Sequence, residues 1–457
     1  MSKDKYRINM CSGPLLKQII TFSIPLILSA LLQFAFNAAD LMVVGKFASH
    51  QDLAAVGATS ALTMLILNIF LGISVGTNVV VARYIGQQNR KETSRTVHTA
   101  ILFSLIGGTI LAIGGLFFNR TFLIWMDTPQ DILAKATLYM NIYFLAMPLV
   151  MLYNFTSAIL RALGDTKRPF YFLVFSGIVN VLLNLLFVCV FKWAVAGVAI
   201  ATVIAIGISG LLSLRVLMLS KTSCRVKINL LKISFKHLKE MTWIGVPAGF
   251  QGACFSLSNI LIQSAQNSFG SAAVAGITAS VQWEFIAFIA ATSVGQACVS
   301  FVGQNYGGKQ YKRIRDSIKI CYIGSCLIII ILSAILYIFR YQALSLFNSN
   351  IEVINWGIMR FNIVLPFLFV CGIQEITLGA LRGLGFSVGP TIVMVFGVCV
   401  LRVVWLYTIF QIYKSMESIL WSYPISWIFV AIATTFYLMY ALKKIPKHNS
   451  KAKTNLL

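Results

Sequence analysis

Twelve apolar stretches near the length of about 20 residues that a bilayer core requires follow one another along this 457-residue chain. They cover 15–41, 53–81, 97–118, 136–160, 170–191, 195–219, 241–268, 272–301, 318–339, 354–381, 388–410 and 419–442. In lipid a segment must satisfy its own backbone hydrogen bonds, so each is expected as a helix. With 58% hydrophobic and 11% charged residues, the chain has too little polar surface to cover a soluble domain. It reads as an all-α polytopic membrane protein. The basic start is followed by an apolar run too long for a signal core and without a small-residue cleavage site, so it reads as a retained cytoplasmic tail.

The net charge of +24 raises nucleic acid as a partner, and the position of the basic residues decides against it. Of 37 Lys and Arg, 29 fall on the two tails and alternate connections, 7 on the other side, and Arg402 within a span. This asymmetry places both termini in the cytoplasm of a multi-pass cell-membrane protein, with the charge facing anionic lipid. Nine scattered cysteines without a Cys-x-x-Cys pair, and four separated histidines, give no disulfide framework and no metal-ligand spacing. No nucleophile or metallohydrolase motif is present, so an enzyme is not expected.

The most basic connection, between the sixth and seventh spans, divides two similar halves. Leu160-Arg161-Ala162-Leu163-Gly164 with Pro169 recurs 221 residues later as Leu381-Arg382-Gly383-Leu384-Gly385 with Pro390. Pro25 recurs as Pro247, and Pro148 as Pro366. Six spans per half, both starting on the same side, make a parallel repeat about a pseudo-twofold axis along the membrane normal. The expected division is a tail at 1–14, an N-lobe at 15–220, a linker at 221–240, a C-lobe at 241–443 and a tail at 444–457. Residues 229–240 are expected as an amphipathic surface helix or as a solvated linker. Two lobes of this kind suit an alternating-access carrier. Pro25 and Pro247 lie well inside their spans, as hinges or as static kinks.

Asp40 is the acid that stands out. Gln33, Asn37 and Asp40 share one face of the first span, and a carboxylate in a span persists where it faces a bundle interior or a wet cavity. A low-dielectric cavity disfavours its charged form, so Asp40 can alternate between proton carrier and anion. Only two other acids fall inside spans, Glu284 and Glu375, and Arg402 is expected to pair with one of them, leaving the other as a second proton or substrate site. Asn154, Gln251 and Gln263 are further cavity candidates. Met64, Met147 and Met151, with nearby aromatics, are candidate walls for cationic compounds.

The order of Asp40 with Val44-Gly45, Leu53-Ala54-Ala55-Val56-Gly57, Gly86 with Gln304-Asn305-Tyr306-Gly307, and the two Leu-Arg-x-Leu-Gly elements resembles the multidrug and toxic compound extrusion (MATE) transporters over nearly the whole chain. The resemblance implies two six-helix lobes in a V and ion-driven export of organic, often cationic and amphipathic compounds. A monomer is expected. It places Asp40 at the coupling position of the bacterial branch with an N-lobe acid. Where that branch carries an Asn and an Asp in the fifth helix, this chain has Asn180 and Asn184. The missing second acid favours H⁺ over Na⁺ as the coupling ion, although the amide oxygens still leave Na⁺ at Asp40 open. No other cofactor is expected. A lipid-linked substrate flippase of the same superfamily, and a channel or non-transporting receptor, are the alternatives.

Overall fold

The computed structural model describes residues 6–446 except Asp127, and leaves out the side chains of His50, Leu53, Ser60, Ala61, Leu62, Met64, Leu65, Ile66 and Leu67. Met64 as a cavity wall, and the outer parts of both tails, therefore lie outside the described residues. Among the described residues the secondary structure is helical throughout. Ten helices are long and apolar enough to cross a membrane, and an eleventh span is the bent pair described below. The expected span at 241–268 is a 33-residue helix, long enough to cross, whose run is interrupted by Gly, Gln and Ser.

The chain divides into two compact units, the first made of its start up to Asn9 with Ile24–Gly245, the second of Met10–Ser23 with Val246 onward. In the first, α1 (Leu15–Phe47) and α2 (His50–Gly86) are followed by α3 (Arg90–Trp125). Next come α4 (Gln130–Leu145) and α5 (Met147–Ala162), then α6 (Lys167–Asn184) and α7 (Ala194–Leu219). α4 and α5 meet at 49°, because Pro148 supplies no N–H to continue the ladder. Gly108 of α3 accommodates this bend: a Cβ there would lie 2.5 Å from the Pro148 Cα. The core runs through Leu123, Ile132, Met140, Phe144 and Met147.

The second unit repeats the plan with α8 (Phe235–Asn267), α9 (Ser271–Gly307) and α10 (Tyr311–Ile338). The short α11 (Arg340–Ser345) leads to α12 (Ile351–Val364) and α13 (Leu368–Gly383), joined through a tight turn at Pro366. α14 (Val388–Met394), α15 (Leu401–Tyr407) and α16 (Ile409–Tyr413) form one interrupted span before α17 (Met416–Lys443). The two Leu-Arg-x-Leu-Gly elements end α5 and α13 in the same way. Gly164 and Gly385 take φ of +86° and +90°, and the next residue's N–H returns to Leu160 O at 2.9 Å and Leu381 O at 2.8 Å.

The units are not cut where the expected lobes are. Residues 221–240 belong to the first unit, since His98 Nε2 accepts the Lys227 N–H at 3.0 Å, Thr99 Oγ1 accepts the Ser234 N–H at 3.1 Å, and Glu92 meets His237 at 3.0 Å. That pinning also corrects the amphipathic helix offered as one reading of 229–240, of which only the part from Phe235 is helical, as the start of α8. The chain makes one tight turn at Ile228–Leu230, then runs extended until α8 begins at Phe235. Met10–Ser23 belongs to the second unit because Arg313 grips the carbonyls of Met10, Ser12 and Gly13 at 2.8 to 3.0 Å. Pro25 and Pro247 each stand within two residues of the cut between units, inside α1 and α8.

α2 starts with a capping box. Ser49 Oγ accepts the Asp52 N–H at 3.2 Å, Asp52 Oδ2 accepts the Ser49 N–H at 3.0 Å, and Lys135 of α4 reaches Asp52 at 2.8 Å. Burial pushes the Asp52 carboxyl up, but the hydrogen bonds from Lys135 and Ser49 and the Lys135 charge outweigh it, leaving the group below its ordinary value. A carboxylate so lowered stabilises the cap above the ordinary value of about 3.9 and loses that contribution as pH falls through the folded value. Ser49→Ala should cost about 1 kcal/mol of local stability. Deuterium uptake over residues 50–55 at neutral pH should rise severalfold, with uptake in α6 unchanged.

Candidate functional site

The polar face of α1 lines a cavity of about 240 Å³ within the first unit. Gln33, Asn37 and Asp40 stand on one wall, with Asn154 of α5, Asn180 of α6 and Thr202 of α7 opposite. Gly177 makes the α1–α6 approach possible, because a Cβ there would overlap the Phe36 ring at 1.9 Å. The volume equals about eight waters and lies below the 300 Å³ or so of a drug-sized pocket. It has room for an ion with its water, or for one group of a larger solute.

Asp40 is held by neutral donors alone. Asn184 Nδ2 donates to Asp40 Oδ1 at 2.5 Å and Thr202 Oγ1 donates to Oδ2 at 3.3 Å. Asn184 Nδ2 also reaches Asn180 Oδ1 at 3.3 Å, and Asn180 Nδ2 reaches Thr202 Oγ1 at 3.4 Å, which closes a ring of four residues. Among the described residues no Lys, Arg or His pairs with Asp40. Asn184 is 1% exposed, and its Oδ1 is buried without a partner. Directly after Asn184 the helix widens into a π-turn at Leu185–Val190, a distortion frequent at functional sites.

Thr202 is the member that sequence reasoning missed, together with Ser176 and Ser209, whose hydroxyls meet at 2.6 Å on the cavity wall. Its signal was available: Thr202 and Ser209 stand seven residues apart on one face of an otherwise apolar span. Met147 and Met151 are buried core residues and do not line the cavity, whereas Tyr143 and Phe36 do.

The remaining candidates lie in the second unit. Glu284 of α9 is gripped by Arg360 of α12, whose Nε and Nη2 both donate to it at 2.8 Å. This corrects the expected pairing of Arg402 with Glu284 or Glu375. Arg360 is 3% exposed inside the span, so Arg402 is not the only deep base; the place of Arg360 within 354–381 is the signal that finds it. Arg402 instead donates from Nε to Ser426 Oγ at 2.9 Å and lies 4.5 Å from the Tyr423 ring. Gln251 accepts from Arg382 at 2.8 Å, and Gln263 donates to Asn267 at 3.1 Å on an exposed face. Glu375 sits on α13, beside the close approach of Gly295.

The MatE family model matches residues 25–186 and 247–408, so the same unit is met twice at a spacing of 222. Probable multidrug resistance protein YoeA of Bacillus subtilis is 30% identical over 394 residues, covering 82% of this chain and 83% of its own. Probable multidrug resistance protein YpnP of the same organism is 25% identical over 443 residues, with 95% and 97% covered. A solved multidrug resistance MATE family transporter in its outward-facing conformation shares the fold, with a TM-score of 0.89, 21% identity, and 97% and 99% of the two chains covered. Matched in both halves and along most of its length, the chain belongs to the MatE family of multidrug efflux transporters.

Proposed function

We propose that the protein is a secondary active antiporter that exports organic, cationic and amphipathic compounds across the cell membrane in exchange for protons, with both termini in the cytoplasm. Asp40 is the coupling carboxylate, and Asn180 and Asn184 complete its site. The observation that carries this reading is the ring around Asp40, which holds a half-buried carboxylate on the wall of a cavity of about 240 Å³ with amide and hydroxyl groups and, among the described residues, no base. A fixed cation would lock the acid in its ionised form. Neutral partners serve both forms.

In the ionised form the Asn184 amide and the Thr202 hydroxyl donate to the two oxygens. In the protonated form the carboxyl becomes a donor, and the partnerless Asn184 Oδ1 takes that proton's hydrogen bond once the amide turns over. Ionised Asp40 attracts a cationic compound, and protonation removes the attraction. Proton and substrate therefore weaken each other's binding by the same factor, which is the thermodynamic condition for exchange. Pro25, whose carbonyl accepts the Ser29 hydroxyl at 2.7 Å, is the point about which α1 repacks.

Asp40→Asn, expressed at the wild-type level, should lower ethidium efflux from cells by at least about tenfold and abolish its dependence on external pH. Unchanged efflux with an unchanged pH profile would remove Asp40 from the coupling role. Asn184→Asp sets a second carboxylate against the first, and two like charges at that distance need a proton or a cation between them. Efflux by that variant should become dependent on an inward sodium gradient.

A further inference from the structure

Among its described residues the second unit buries a cation that no anion pairs with. Arg402 is 0% exposed. Its Nε is spent on Ser426, its Nη1 only reaches Asn259 Oδ1 at 3.5 Å, and its Nη2 makes no hydrogen bond among the described residues. Glu284 is not available to it, since both of its oxygens accept from Arg360. Arg360 and Arg402 stand 4.6 Å and 4.5 Å from the same Tyr423 ring, so two guanidiniums and one carboxylate share this place with a net charge of +1. A charge without a partner in a span is costly and is kept where it has a task.

The free edge of the guanidinium says what it would bind. Nη1 and Nη2 form the planar fork that grips a carboxylate with two parallel N–H···O bonds, and here one prong is empty while the other holds the slackest contact the residue makes. Asn259, Phe255 and Tyr423, which stand against the guanidinium, are each only partly buried, so the side chains that cover the fork themselves reach the surface of the unit. A π-turn at Val395–Val400 ends just before Leu401-Arg402, as another begins just after Asn184 in the first unit.

The repeat gives this centre a counterpart. At the spacing of 222 that separates Pro25 from Pro247, Asn259 corresponds to Asn37 and Ile262 to Asp40, and Arg402 lies in the span that repeats α6. The first unit holds a lone acid among neutral donors; the second holds a lone base among neutral acceptors, with the acid position filled by Ile262. We propose that Arg402 is a recognition site for an anionic group of an organic compound, a carboxylate above all, which takes the place of the Asn259 amide on the Nη1–Nη2 edge. The ligands of this transporter then include acids and zwitterions as well as cations. The inference rests on the transporter reading only in taking an organic compound as the ligand.

Rhodamine 110 carries a free carboxylate and rhodamine 123 is its methyl ester, so the pair isolates that group. Binding of each to the purified protein is measured by fluorescence anisotropy at one pH and salt concentration, with no gradient. Arg402→Gln should weaken rhodamine 110 by about tenfold or more and leave rhodamine 123 within about twofold. Arg402→Lys, which keeps the charge and loses the fork, should fall between. Asn259→Ala, which clears the edge, should tighten rhodamine 110 alone. If Arg402→Gln shifts both dyes alike or neither, or if Asn259→Ala leaves rhodamine 110 unchanged, the site is not an anion site. Should Arg402→Gln not fold, Asn259→Ala decides by itself. Absence of ion exchange in transport assays would overturn the antiport reading and leave this binding result standing.

Discussion

A carboxylate inside a lipid-embedded bundle has to be stabilised without being neutralised, and the first unit is arranged around that requirement. Asp40 has donors enough to exist as an anion and, among the described residues, no base to hold it there. The ring through Asn184, Asn180 and Thr202 draws on three helices, α1, α6 and α7, so the ionisation state of one side chain is mechanically tied to the packing of half a unit. Gly177 and the π-turn after Asn184 are the local backbone concessions that bring those helices close enough.

Duplication explains the scaffold, and divergence explains the chemistry. Both units interrupt a span at a proline, with a 49° bend at Pro148 and a tight turn at Pro366, and both close the following helix on a glycine in the left-handed region. These features govern backbone geometry, and they recur with little change. The polar groups do not. The position matching Asp40 is Ile262, buried in the second unit, while that unit gathers Glu284, Arg360, Arg402 and Tyr423 instead. Because the shared backbone plan places equivalent helices around each centre, a substitution on one face changes the charge of a site without changing its architecture.

The fold was legible in the sequence because length, apolarity and repeat spacing are one-dimensional signals. Pro148, Pro366, Gly164 and Gly385 announced the bends and caps. Asp40 with Asn180 and Asn184 was legible too, since a polar residue in a span must be satisfied by a neighbour. What escaped were pairings settled by rotamers and helix rotation. Arg402, deep in its span, is the base that draws notice, yet Arg360, nearer a span end, is the one that holds Glu284. Thr202 carried no charge to draw attention, yet it donates to Asp40. The linker at 229–240 has an amphipathic pattern, but His98 and Thr99 bind the backbone of Lys227 and Ser234, and the helix begins only at Phe235.

The central claim is that the lone acid of the first unit converts an ion gradient into export. Purified protein in sealed liposomes, loaded with ethidium and given a proton gradient and a sodium gradient in separate experiments at equal membrane potential, tests it most directly. The account predicts ethidium movement driven by the proton gradient and little or none by the sodium gradient. Movement that follows the sodium gradient alone, or proceeds equally well with neither, would contradict it.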